Sequence, residues 1–195
     1  MTRGPVEALI DRIRSLEEEL EAELAKQRAG LRFGFEHGRV IFEEEILRRH
    51  REVKTNLWRY IRRARPLVVL TAPFIYGLII PLVLLDLFVT VYQATYFPAY
   101  GIAKVKRGDF LVFDRHHLAY LNLLEKLNCA YCSYANGLIN FTREIASRTE
   151  AYWCPIKHAR RVLGTHQLYN EFPDFGDGDG YRKKIDTLAA KARPN

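Results

Sequence analysis

The three cysteines of this 195-residue chain and one histidine form the pattern C-x2-C-x21-C-x3-H, which runs from Cys129 and Cys132 to Cys154 and His158. Three thiolates and one imidazole are a common tetrahedral ligand set for zinc, and they also hold iron. We therefore expect a metal site at these four residues, with zinc in a structural role and iron as the alternative. Two other interpretations stay open: buried reduced cysteines in a helical bundle, and a redox-active thiol pair.

We expect these four ligands to lie on helices. Residues three or four apart share one face of a helix, so Cys129 lies beside Cys132, and Cys154 lies beside His158. Pro155 suits a first helical position and leaves Cys154 at the cap. Cys154 and His158 could also act as nucleophile and base, but no third group that would orient the histidine is identifiable. We favour a structural site and keep an electron-transfer or metal-dependent membrane enzyme as the alternative.

A nearly charge-free segment is the strongest signal outside the cysteines. Residues 67–85 are 19 consecutive uncharged residues, and Asp86 is the single charge in residues 67–100. This length satisfies the criterion for a membrane span, and the segment lies too far from the N-terminus for a secretory signal. Pro73 and Pro81 predict a helix-break-helix hairpin, with a single tilted span as the alternative. A carboxylate is costly in lipid, so we expect Asp86 to face a packing or oligomer contact, with an ion pathway as the alternative.

Basic residues flank this segment on both sides. They are Arg48, Arg49, Arg51, Arg59, Arg62, Arg63 and Arg65 before it, and Lys104, Lys106 and Arg107 after it. Positive charge on both flanks favours a cytoplasmic location for both. The adjacent apolar segment makes anionic lipid headgroups a better partner for these residues than nucleic acid.

An apolar stripe marks the N-terminal arm. It consists of Val6, Leu9, Ile13, Leu16 and Leu20, at alternating spacings of three and four residues. This spacing is typical of an amphipathic or coiled-coil helix. Little apolar sequence lies nearby to cover the stripe, so we expect it to mediate self-association or to bind another subunit, with packing on its own chain as the alternative. Glycines at intervals of four then predict a hinge, followed by a basic helix over residues 40–65.

The span from the hydrophobic segment through the motif YWCPIKHARRVLG, about residues 65–185, resembles an uncharacterised family of bacterial membrane proteins. The resemblance implies a bacterial inner-membrane setting and brings no activity, cofactor or catalytic residue.

Together these features predict an all-α, membrane-anchored protein in four parts. Residues 1–29 form an association helix, 30–66 a basic juxtamembrane helix, 67–100 the membrane hairpin, and 101–195 a cytoplasmic helical domain with the Cys/His cluster. The function expected from this architecture is that of a self-associating scaffold, or an accessory subunit of a larger membrane complex.

Overall fold

The computed structural model describes residues 5–29, 33–36 and 39–191. These residues are mostly α-helical, which confirms the helical class that the sequence predicts. They divide into two compact units, each of which is described by itself. The N-terminal unit comprises residues 1–56 and 116–122, and the C-terminal unit comprises residues 57–115 and 123–195.

The N-terminal unit contains α1 (Pro5–Ala29), α2 (Glu44–Glu52) and an antiparallel hairpin of β1 (Phe33–Glu36) and β2 (Arg39–Phe42). The hairpin replaces the start of the helix that we predicted over residues 40–65. Aromatic and β-branched residues on both sides of a two-residue connection ending in glycine favour paired strands over helix, and this pattern outweighs the glycine spacing. The connecting residues 37 and 38 lie outside the described residues.

The remainder of the predicted basic helix is also interrupted. α2 ends at Glu52, residues 53–56 are not helical, and α3 (Leu57–Arg63) follows in the C-terminal unit. The predicted continuous juxtamembrane helix is therefore wrong, and two short helices carry its basic residues.

The hydrophobic segment forms α4 (Pro66–Gly77) and α5 (Ile79–Tyr100), with Leu78 between them. Pro81 has no N–H to donate to the carbonyl of Gly77, and its ring crowds that carbonyl, which explains why the regular helix is interrupted there. Leu78 nevertheless keeps right-handed helical angles (φ −61°, ψ −14°), so the chain continues in the same direction. α5 ends at Tyr100, and the positive φ of 66° at the following residue, Gly101, is common where helices end.

The predicted helix-break-helix hairpin is therefore wrong, because residues 66–100 form one helical segment of 35 residues. A single buried or half-buried stripe runs along both parts of it without changing face. The stripe comprises Ala72, Tyr76, Ile79, Leu82, Asp86, Val89, Gln93, Phe97 and Tyr100, and half-buried Tyr92 lies beside it. Its spacings of three or four residues follow one helix face through Leu78, which a reversal of direction would not allow.

The chain returns along this stripe in residues 101–115, the return segment, and then forms α6 (Leu123–Trp153), a helix of 31 residues. The buried core of the unit lies where α5, the return segment and α6 meet, and it consists of Phe97, Ile102, Val105, Leu138, Phe141 and Ile145. Gly137 permits close packing here, because a Cβ at this position would lie 2.6 Å from the carbonyl oxygen of Phe110.

α7 (Gly178–Lys191) completes the C-terminal unit by packing against α6. A short 3₁₀ turn, Gln167–Glu171, packs against the same helix. Ala151, Phe172 and Leu188 form a small buried cluster that joins these three elements.

Candidate functional site

The structure separates the cysteines that we expected to share a metal ion. Cys129 and Cys132 lie on α6, whereas Cys154 directly follows its last residue, Trp153. At 1.5 Å per residue, the 24 residues from Cys129 to Trp153 extend over about 36 Å. One chain therefore cannot bring the three thiols to a single zinc or iron ion, and the expected four-residue site is wrong for a single chain.

The local contacts agree with this separation. The three thiols form no disulfide, and Cys132 and Cys154 are exposed. The backbone N–H of His158 donates to the hydroxyl oxygen of Tyr169 at 2.7 Å, and the two rings stack. Across the described residues, no three His, Cys, Asp or Glu side chains are close enough to hold a metal ion.

Asp86, the single charge of the apolar segment, has its contacts within the C-terminal unit. The Arg107 guanidinium donates two hydrogen bonds to its carboxylate, one of them at 2.7 Å between Nη2 and Oδ2. The hydroxyl of Tyr134 on α6 donates to Oδ2 at 2.8 Å, and that of Thr90 donates to Oδ1 at 3.3 Å. The carboxylate thus joins α5, the return segment and α6 in one polar cluster.

In this cluster Arg107 bonds to Asp86, whereas the sequence predicts that Arg107 binds the membrane surface. Arg107 lies 21 residues beyond Asp86 in the chain and reaches it because the return segment runs back along α5. Gln93 fixes the same segment: its amide oxygen accepts from the N–H of Val105 at 2.6 Å, and its amide nitrogen donates to the Val105 carbonyl at 3.3 Å.

The other basic residues predicted to meet the membrane are exposed in the unit to which each belongs. Arg48, Arg49 and Arg51 lie on α2 of the N-terminal unit; Arg59, Arg62, Arg63, Arg65, Lys104 and Lys106 belong to the C-terminal unit. Arg49 pairs with Glu45 at 2.7 Å, and the guanidinium of Arg62 lies over the Trp58 ring at 5.3 Å. Such exposed groups can reach phosphates at modest cost, since surface ion pairs contribute little.

The uncovered faces of α4–α5 form the largest apolar surface that the structure describes. The most apolar 18-residue window of this helix has a mean hydropathy of 2.5, and no residue of that window is buried. Its most exposed side chains are Leu67, Leu70, Phe74, Ile80 and Phe88, each at least 66% exposed. Apolar patches of this extent usually contact lipid or another protein.

A second uncovered apolar surface lies on α1. Leu9, Ile13, Leu16 and Leu20 are between 54% and 61% exposed, and they lie on one face of the helix. The side chain of Val6, the first residue of the predicted stripe, lies outside the described residues.

Sequence reasoning missed a hydrogen-bonded chain of Ser147, His166 and Glu150. Ser147 Oγ lies 2.9 Å from His166 Nδ1, and His166 Nε2 lies 2.8 Å from Glu150 Oε2. The order of groups resembles a serine nucleophile with its base, but Ser147 is only 2% exposed within α6. We therefore assign these hydrogen bonds a structural role: they hold His166, just before the 3₁₀ turn, against α6. No sequence motif marks them, because they join residues 16 and 19 apart.

No protein-family model, no curated protein and no solved structure matches this chain. The structure brings together Asp86, Arg107 and Tyr134, whereas it separates the cysteines. It leaves the apolar faces of α1 and of α4–α5 uncovered among the described residues. These two surfaces, and the basic residues on both sides of α4–α5 in the sequence, are the features on which a function can be argued.

Proposed function

We propose that this protein is a membrane-anchored, self-associating scaffold or an accessory subunit of a membrane assembly, at the bacterial inner membrane with its soluble parts cytoplasmic. The main support for membrane anchoring is the uncovered apolar surface of α4–α5. A hydrocarbon core about 30 Å thick needs about 20 apolar residues, and this helix supplies 35 residues in one segment. Its charged residue, Asp86, faces the protein rather than the uncovered faces.

Charge supports the same assignment. Exposed arginines precede the apolar helix, and exposed Lys104 and Lys106 follow it. Anionic headgroups attract such residues, each near-surface cation contributing about 1 kcal/mol. Trp58 and Tyr60 lie before the helix, and Tyr96 and Tyr100 lie at its end, as interfacial aromatics do.

Self-association is assigned to α1. Its exposed leucines and isoleucine repeat at spacings of four, three and four, as the core positions of a two-stranded coiled coil do. Three heptads are marginal for a free coiled coil. Confinement to a membrane raises the effective concentration of the arms, which favours pairing of a short seam.

The anchoring test uses the full chain and vesicles containing one third anionic lipid. We expect the wild-type protein to float with the vesicles and to resist extraction at alkaline pH. Replacing Leu84 and Phe88 together by lysine should release it, because two charges would then lie on the uncovered face. The matched control replaces Asn136 and Asn140, exposed on α6, by lysine and should leave binding unchanged. Wild-type protein that stays in the aqueous fraction would refute the anchor.

The association test compares the mass of the detergent-solubilised chain with and without residues 1–29. We expect a dimer or larger oligomer for the full chain and a smaller species for the truncated one. A full chain that is monomeric, or an oligomer that survives the truncation, would reject the role of α1.

A further inference from the structure

We infer that the apolar helix α4–α5 lies in the plane of one membrane leaflet, with its covered stripe toward water, instead of crossing the bilayer. This inference rests on the proposed membrane anchoring and specifies its geometry. The ligand is the acyl region and anionic headgroups of a single leaflet. The rest of the C-terminal unit then sits on the aqueous side, and both ends of the helix meet the same membrane surface.

The first support is the length over which protein covers the stripe. Near one end, the hydroxyl of Tyr131 on α6 donates to the carbonyl of Ile75 at 2.7 Å. At the other end, the ring of Tyr100 packs against that of Trp153 at 5.2 Å. These contacts are 25 residues apart on the apolar helix, or about 37 Å, which exceeds the hydrocarbon thickness of about 30 Å. A helix perpendicular to the membrane would take much of α6 into the lipid with it.

The second support is the charge that α6 would carry into the lipid. Asn128 accepts a hydrogen bond from the hydroxyl of Tyr76, which is the middle residue of the uncharged run 67–85. Lys126 and Glu125 are two and three residues from Asn128, so a crossing helix centred on the run 67–85 would hold both within about one turn of the bilayer midplane. Charged groups at that depth are costly and rare.

The third support is how polarity is distributed around the helix. Tyr76, Asp86 and Gln93 lie on the covered stripe and bond to groups of the C-terminal unit. The opposite faces present Leu70, Ile80 and their apolar neighbours. An interfacial helix has this two-sided character, with its apolar side buried in the acyl region.

Basic residues at both ends fit the same geometry. Arg63 and Arg65 lie before the helix, and exposed Lys104 and Lys106 lie shortly after it. In an in-plane orientation all four are near the headgroups of one leaflet, whereas a crossing helix would leave Arg63 and Arg65 at one surface and carry Lys106, which is next to Arg107 at Asp86, to the depth of the apolar helix. Positive charge concentrates on the cytoplasmic side of membrane proteins, which favours one common surface.

Cys132 offers a direct test because it is exposed on α6. At 100° per residue it points roughly away from the face of α6 that carries Tyr134, Leu138 and Phe141 toward α5. An in-plane helix places this thiol in water, and a crossing helix places it at the depth of the apolar run. In a variant with Cys129→Ser and Cys154→Ser, we expect a membrane-impermeant maleimide to label Cys132 in inverted membrane vesicles at the rate seen in detergent.

Two lipid-face variants complete the test in a background without native cysteines. Leu70→Cys and Phe88→Cys should resist the same maleimide in vesicles and react after detergent is added. Nitroxide labels at Leu70, Ile80 and Phe88 should lie at bilayer depths that agree to within about 5 Å, the rise of one helical turn. A crossing helix would instead separate Ile80 from Phe88 by about 12 Å in depth. Circular dichroism confirms that each variant keeps the wild-type helix content.

The outcomes separate this inference from the anchoring on which it rests. Labelling of Cys132 together with equal nitroxide depths supports the in-plane helix. Protection of Cys132 in both vesicle orientations, or nitroxide depths that differ by 10 Å or more, overturns it while the anchor stands. Rapid labelling of Leu70→Cys and Phe88→Cys in vesicles overturns the membrane anchor and the in-plane helix together.

Discussion

Replacing Arg107 with alanine should destabilise the C-terminal unit more than replacing Asp86, although the two side chains form one ion pair. The reason is their unequal access to water. The Asp86 side chain is 15% exposed and the Arg107 side chain 44% exposed. Without Arg107, the Asp86 carboxylate keeps only neutral hydroxyl donors, Tyr134 and Thr90, beside an apolar surface. Without Asp86, the arginine can swing its guanidinium into water.

The expected magnitude lies between two limits. Breaking a fully buried pair costs about 3–5 kcal/mol, because an uncompensated charge remains. Breaking an exposed pair costs about 1 kcal/mol or less. Since one member is nearly half exposed, we expect Arg107→Ala to lower the free energy of unfolding by about 2 kcal/mol and Asp86→Ala by about 1 kcal/mol. The double variant should show a coupling of about 1 kcal/mol or more between the two sites.

The assay is urea unfolding of the detergent-solubilised chain, followed by circular dichroism. Lys106→Ala is the matched control, because Lys106 is an exposed basic residue next to Arg107; it should change stability by less than about 0.5 kcal/mol. If Arg107→Ala lowers the free energy of unfolding no more than Lys106→Ala, or less than Asp86→Ala, then unequal access to water does not set the cost of breaking this ion pair.

Three further predictions concern packing, association and metal content. Gly137→Ala should lower the free energy of unfolding by about 1–3 kcal/mol, because the added Cβ meets a backbone oxygen at 2.6 Å; Gly108→Ala, which has no atom within 4 Å of its added Cβ, is the control, and equal stabilities would contradict the close packing. Leu16→Lys should shift the oligomer toward monomer in analytical ultracentrifugation, whereas Ser15→Lys, exposed beside it on α1, should not; an unchanged Leu16→Lys oligomer counts against the α1 seam. Tag-free protein should contain well under one zinc per chain by mass spectrometry, because one chain cannot gather the four expected ligands, and a full zinc that is lost in Cys154→Ser would show this conclusion to be wrong.

Features that depend on local composition and period could be predicted from the sequence alone. The uncharged run at residues 67–85 predicts an apolar helix, and the repeat from Leu9 to Leu20 predicts an amphipathic one; both helices are present. Proline chemistry placed the irregularity near Pro81, since the missing N–H and the ring act on the residues just before it. The sequence did not show that Leu78 keeps the helix direction, because proline favours both a kink and a reversal.

Which distant residues come into contact depends on the path of the chain and could not be predicted from the sequence. The pattern C-x2-C-x21-C-x3-H can bind one metal ion only if the chain folds back between Cys132 and Cys154. The continuous helix α6 instead holds these two cysteines apart. Arg107 looks like a flanking cation in the sequence, yet the return segment carries it to Asp86. Ser147, Glu150 and His166 meet for the same reason. Period and composition report the environment of a segment, whereas the path of the chain between helices sets the distances on which chemistry depends.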